Sequence, residues 1–170
     1  LSVRENVAYG LKINGDNDAL NEGTVGHFIR AVGLEEFADA YPHQLSGGMR
    51  QRVAIARTLA NYPDLFLMDE PFGALDPETR WQMQDLLLKV VRKERNTVLA
   101  VSHDIEEALY LGDVVFFLSR HPGRLKETIY TDFKIGLPKN DREAFLQSDE
   151  YRRLELHIRR LMRDEGRDAA

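Results

Sequence analysis

The chain has no cysteine. A disulfide framework, a zinc-thiolate site and a cysteine nucleophile are therefore excluded. It has no apolar run long enough to span a bilayer. No basic-then-apolar segment opens it, so a secretory signal peptide is not read here. It has no excess of basic residues: 23 Lys and Arg stand against 28 Asp and Glu, for a net charge of −5. General nucleic-acid binding needs clustered cations to neutralise phosphates, so that class is disfavoured. Internal repeats and low-complexity stretches are absent too. The first residue is Leu1 rather than Met, which we read as the sign of a fragment or a processed form.

What is present is an ordinary globular composition, 43% hydrophobic and 30% charged over 170 residues. That length suffices for one domain with a core. Ser2 followed by Glu5 is a capping box that starts a helix through Val3, Val7, Ala8 and Leu11. Asn14 to Asn17 breaks it. Thr24 to Val32 reads as a second helix, ended near Gly33. A short helical piece at Glu35 to Ala40 stops at Pro42. A further helix is expected from Ser46 to Leu59.

The texture then changes. Leu65 to Met68, Val98 to Val101 and Val114 to Leu118 are short continuous apolar runs, the pattern of strands covered on both faces. Asp76, Pro77 and Glu78 open a strong helix between the first two. Asp104 to Tyr110 forms a shorter helix before the third. Strand, helix, strand, helix, strand is the crossover order of a parallel α/β sheet. His121-Pro122-Gly123 is a turn, with Arg124 to Tyr130 as an edge strand. The tail from Asp141 to Arg163 reads as helix.

Four short motifs carry chemistry. Ser46, Gly47 and Gly48 in LSGGMRQR stand at a helix start, where free amides and the helix dipole favour an anion. Absent Cβ atoms let a phosphate approach. Asp69 and Glu70 end the strand LFLM, at the carboxyl edge where α/β sheets bind ligands. Asp69 is placed to hold Mg²⁺, through water. Glu70 is placed to orient and deprotonate a water. Asp76 ends PFGALD. His103 follows the strand VLAV and can donate and accept at once. Each also has a plain reading: an N-cap, a polar loop start, a second N-cap, and a structural histidine.

In this order, LSGGMRQR, LFLMDEP, ALD and a strand ending in SHD resemble the ABC ATPase family over residues 1–128. The resemblance implies an α/β fold of the P-loop NTPase type: a parallel sheet flanked by helices, with a helical subdomain. It implies that Ser46, Gly47 and Gly48 form the signature motif, which binds the γ-phosphate of an ATP held mainly by a second ATPase subunit in a homodimer. By the same resemblance Asp69 is the Walker B aspartate, Glu70 the catalytic glutamate, Asp76 the D-loop aspartate and His103 the switch histidine. Gln44 also matches. Arg50, Arg52 and Arg57 are left outside the site. Three regions follow: 1–60 helical subdomain, 61–130 partial α/β core, 131–170 helical tail.

The strings LSVRENVAYGL, PFGALDPETR, VSHDIEEAL and SRHPGRL look like importers of the nitrate, sulfonate and taurine type. That subgroup implies ATP and Mg²⁺ as cofactors and a transmembrane permease as partner. It also implies an indirect solute-binding protein, periplasmic or lipoprotein, and a place on the cytoplasmic face of the membrane. Nucleic acid is not expected as a partner. Two other readings are a soluble ABC ATPase acting on ribosomes or DNA, and a non-catalytic cassette. Only 23 positions separate Ser46 from Asp69, which leaves no room for a long coiled coil there. Intact Glu70 and His103 speak against a decayed site.

No G-x-x-x-x-G-K-S/T string occurs in the 170 residues. The family's N-terminal strands and P-loop are therefore expected upstream of Leu1. The strand LFLM is expected to have a bare apolar edge, and the isolated chain to be unstable and inactive toward ATP.

Overall fold

A computed structural model describes residues 1–15, 23–137 and 141–167. Two compact units divide the chain between Val101 and Ser102. This boundary falls inside the stretch 61–130 that the sequence reading treats as one region.

The first unit opens with α1 (Val3–Ile13), capped as expected: Glu5 N donates to Ser2 Oγ at 3.2 Å and Ser2 N to Glu5 Oε2 at 2.7 Å. Of the predicted break, Asp16 and Asn17 lie outside the described residues. Helix α2 (Thr24–Ala31) follows, then one turn of 3-10 helix at Glu35–Phe37. Pro42 does not end structure outright; a second 3-10 turn, Pro42–Gln44, leads into α3 (Gly47–Leu59). Val7, Ala8, Phe28, Ile29, Ala56 and Leu59 are buried where these helices meet. The approach is close. A Cβ at Gly10 would lie 2.2 Å from the Asn61 side chain, which would have to move to admit any larger residue.

Strand β1 (Leu65–Asp69) pairs in parallel with β2 (Thr97–Val101), and α4 (Pro77–Glu94) connects them. Arg95 ends α4 in the left-handed region at φ 57°. His27 of α2 and Glu94 of α4 approach to 2.9 Å. Among the described residues β1 pairs with β2 alone. The expectation of strands covered on both faces does not hold here. Phe66 and Met68 are buried, but Leu65, Leu67, Leu99 and Val101 are exposed. Along β1 burial thus alternates, with one face sheltered and the other exposed.

The second unit holds α5 (Ile105–Leu111), β3 (Val114–Leu118), β4 (Leu125–Tyr130), α6 (Arg142–Gln147) and α7 (Asp149–Arg167). The third strand does not join a parallel sheet. It pairs antiparallel with β4 through the turn at 119–124. An apolar run reports shelter, not partner, and the short turn makes the hairpin the nearest pairing. The predicted tail helix is two helices. Ser148 ends the first by donating from its hydroxyl to Phe145 O at 2.8 Å, and accepts from Tyr151 N to start the second.

Tyr110, Phe133, Phe145 and Tyr151 form an aromatic core, with the Phe145 and Tyr151 rings 4.8 Å apart. Burial pushes the Tyr151 hydroxyl up to about 12 from 10.0. The neutral phenol is therefore the form the fold holds. Its contribution to stability is whole below pH 10.0 and is lost as pH rises toward 12. An alkaline titration followed by phenolate absorbance should show this unit loosening in that window. Tyr151→Phe should remove that part of the pH dependence.

Candidate functional site

The helix start at 46–48 is built from the chain before it. Leu45 is buried and fixes the entry, while Ser46 is extended and exposed. Met49 N donates to Ser46 Oγ at 3.2 Å, and Arg50 N makes the first helical bond, to Ser46 O at 3.0 Å. The amides of Gly47 and Gly48 precede any acceptor within the helix. The two glycines differ. A Cβ at Gly47 would meet open space. A Cβ at Gly48 would lie 2.8 Å from Thr79 Cγ2. Gly48 is buried, and its small size admits α4, a reason the sequence reading did not give. A shallow hollow of about 260 Å³ beside them is lined by Gly33, Phe37, Ser46, Gly48, Met49 and Thr79.

Gln44 lies exposed ahead of this turn, and its Oε1 accepts from Tyr41 N at 2.7 Å. Arg52 lines the same hollow, whereas two nearby arginines have structural contacts. Arg50 Nη1 donates to Leu45 O at 2.6 Å, and the Arg57 guanidinium stacks 4.5 Å from the Tyr9 ring centre.

Asp69 and Glu70 are both exposed at the carboxyl end of β1. Asp69 is in register with Val101, and Glu70 N donates to Val101 O at 2.9 Å. Glu70 takes φ 46°, rare for a residue with a side chain. Gly73 N then closes a turn onto Glu70 O at 3.3 Å, and Phe72 is fully buried beneath it. Asp76 caps α4 by accepting from Thr79 N at 3.0 Å. That bond holds its carboxyl below the usual carboxylate range. Asp69 and Glu70 fit a magnesium site of the kind completed by substrate phosphates and water rather than by protein alone. No group of three or more His, Asp or Glu side chains that could hold a metal ion occurs among the described residues.

Ser46, Gly47, Gly48, Asp69, Glu70 and Asp76 thus belong to the first unit. His103 belongs to the second. It is exposed in the turn where Asp104 N donates to Ser102 Oγ at 3.1 Å and Asp104 caps α5. Sequence reasoning missed two residues that organise the first unit. Gln51 Nε2 donates to Pro71 O at 2.8 Å, and Thr79 packs on Gly48. No sequence signal marks Gln51, which stands between Arg50 and Arg52 and bonds a backbone oxygen.

The model of the family described as ABC transporter matches residues 1–73. The chain is 48% identical over 157 residues to an uncharacterized ABC transporter ATP-binding protein of Methanocaldococcus jannaschii, covering 92% of this chain and 57% of the relative. It is 52% identical over 132 residues to a taurine import ATP-binding protein of Rhizobium johnstonii, covering 78% and 50%. It is 43% identical over 141 residues to a nitrate import ATP-binding protein of a Synechocystis strain, covering 83% and 52%. The chain spans about half the length of the curated relatives it matches.

Proposed function

We propose a function from one premise, that the chain belongs to the ABC transporter ATP-binding family. It is part of the ATP-hydrolysing subunit of an importer for small anions of the nitrate, sulfonate or taurine class. The observation that carries this reading is the pairing, within one unit, of a phosphate-ready helix start at Ser46–Gly48 with the Asp69–Glu70 strand end.

The residues divide the work as follows. The free amides of Gly47 and Gly48, with the Ser46 hydroxyl, bind the γ-phosphate of an ATP held mainly by the facing subunit. Gln44 and Asp76 flank that contact. Asp69 holds Mg²⁺, which when bound neutralises charge on the β- and γ-phosphate oxygens. Glu70 orients the attacking water and takes its proton as the oxygen bonds to phosphorus and ADP departs. His103 supplies a second hydrogen bond at the reacting phosphate. The permease is the membrane partner and the solute-binding protein acts through it. No helix among the described residues is long and apolar enough to cross a membrane. We place the subunit on the permease at the cytoplasmic face.

The 170 residues hold no G-x-x-x-x-G-K-S/T string. Removing one preorganised donor costs about 10²–10³ in rate, so lacking the whole phosphate cradle should leave no measurable turnover. The chain alone is expected to be silent in an ATP hydrolysis assay. The same chain joined to a segment carrying that string is expected to turn ATP over. Turnover by the bare chain would mean that other residues hold the phosphates, and this account of the site would fall.

A further inference from the structure

The first turns of α3 grip both ends of the segment that follows Glu70. At one end Gly48 receives Thr79; at the other Gln51 donates from Nε2 to Pro71 O at 2.8 Å. A glutamate at φ 46° is a backbone conformation that persists only where its surroundings over-determine it. Three constraints come from the strand and its turn: Glu70 N on Val101 O, Gly73 N on Glu70 O, and the buried Phe72 ring. They leave the Pro71 carbonyl. Proline has no N–H to offer, so this oxygen is the one backbone hydrogen-bonding group of residue 71. Gln51, half-buried and 20 residues away in sequence, takes it.

We propose that Gln51 is a positioning residue for Glu70. This rests on the ATPase reading above. Its carboxamide fixes the peptide unit after Glu70 and so the direction in which the Glu70 carboxylate is presented. Because Gln51 rides on the helix whose start carries the anion-binding amides, the same bond couples a displacement of α3 to the base. An anion seated at Gly47 and an aligned Glu70 then become parts of one arrangement.

The test uses the full-length ATPase assembled with its permease. Gln51→Met keeps the length of the side chain and removes the donor. It should lower kcat about tenfold with KM for ATP and Tm unchanged, the pattern of an interaction that matters in the transition state only. Gln51→Glu keeps the shape but offers an ionised carboxylate to a carbonyl oxygen. Once protonated, that carboxyl regains an O–H donor. The kcat of Gln51→Glu relative to the parent should therefore climb as pH falls from about 8 toward about 5, closer to the ordinary glutamate range.

Gln51→Met within twofold of the parent, or a flat pH ratio for Gln51→Glu, overturns the proposal. So does a loss of turnover matched by a loss of Tm in both variants, which makes Gln51 structural. Glu70→Gln run alongside separates the two claims. If that variant hydrolyses ATP at the parent rate, Glu70 is not the base, and the assignment on which the positioning role rests fails. If it is dead while Gln51→Met is unaffected, only the positioning role fails.

Discussion

Glu70→Gln, made in the protein that also carries a phosphate-binding loop, is expected to lower ATP turnover by about 10²–10⁴ while ATP still binds. The substitution keeps the shape of the side chain and the backbone position at φ 46°. It removes the negative charge and with it the capacity to take a proton. The bonds that close the turn beneath it include two made by backbone groups: Gly73 N bonds the Glu70 carbonyl, and Glu70 N bonds Val101 O. Phe72 stays buried. A fall in rate with unchanged nucleotide affinity and unchanged Tm therefore reports chemistry, not folding. Asp69→Asn should behave differently. Asp69 is assigned to the metal, so its loss should weaken magnesium dependence as well as rate. Equal behaviour of the two variants would erase the distinction between base and metal ligand. Full turnover by Glu70→Gln would move the base to another residue.

Much of the local structure was legible because its rules act over three or four residues. Ser2 with Glu5, Ser46, Asp76 and Asp104 each cap the helix that follows, as their residue types require. The positions of β1, β2 and β3 were legible from apolar runs of strand length. What those runs could not show is partnership. Nothing in VVFFL distinguishes a parallel neighbour from the hairpin it forms with Leu125–Tyr130. In the candidate site, the roles proposed for Ser46, Gly47, Asp69 and Glu70 come from the order of the motifs and the family they resemble, because each residue taken singly also reads as a cap or a polar loop start. The packing reason for Gly48 was not legible. It depends on Thr79, 31 positions away, which only the packing of α4 on α3 supplies. Gln51 was hidden for the same reason, since its partner is a backbone oxygen and leaves no mark in side-chain pattern.

Phe66→Ala and Leu67→Lys, neighbours on β1, should have opposite outcomes in this chain. Phe66 is 5% exposed and Leu67 65%. Truncating a buried phenylalanine costs about 3–5 kcal/mol, enough to unfold a marginal unit. A lysine at Leu67 meets solvent and should shift stability by no more than about 0.5 kcal/mol. It should also raise solubility, because it breaks an apolar face shared with Leu65, Leu99 and Val101. Urea melts followed by the single tryptophan, Trp81 on α4, would read both effects in the first unit.

The comparison tests more than two residues. An uninterrupted apolar strand is the composition of a sheet sheltered on both sides, yet this sheet is sheltered on one. If a longer protein lays another layer on the open face, Leu67→Lys becomes a buried unpaired charge there and should cost several kcal/mol. The same substitution would then be neutral in one context and severe in the other. A severe effect already in the 170-residue chain would mean that β1 is covered on both faces within it, and the open face described here would be wrong.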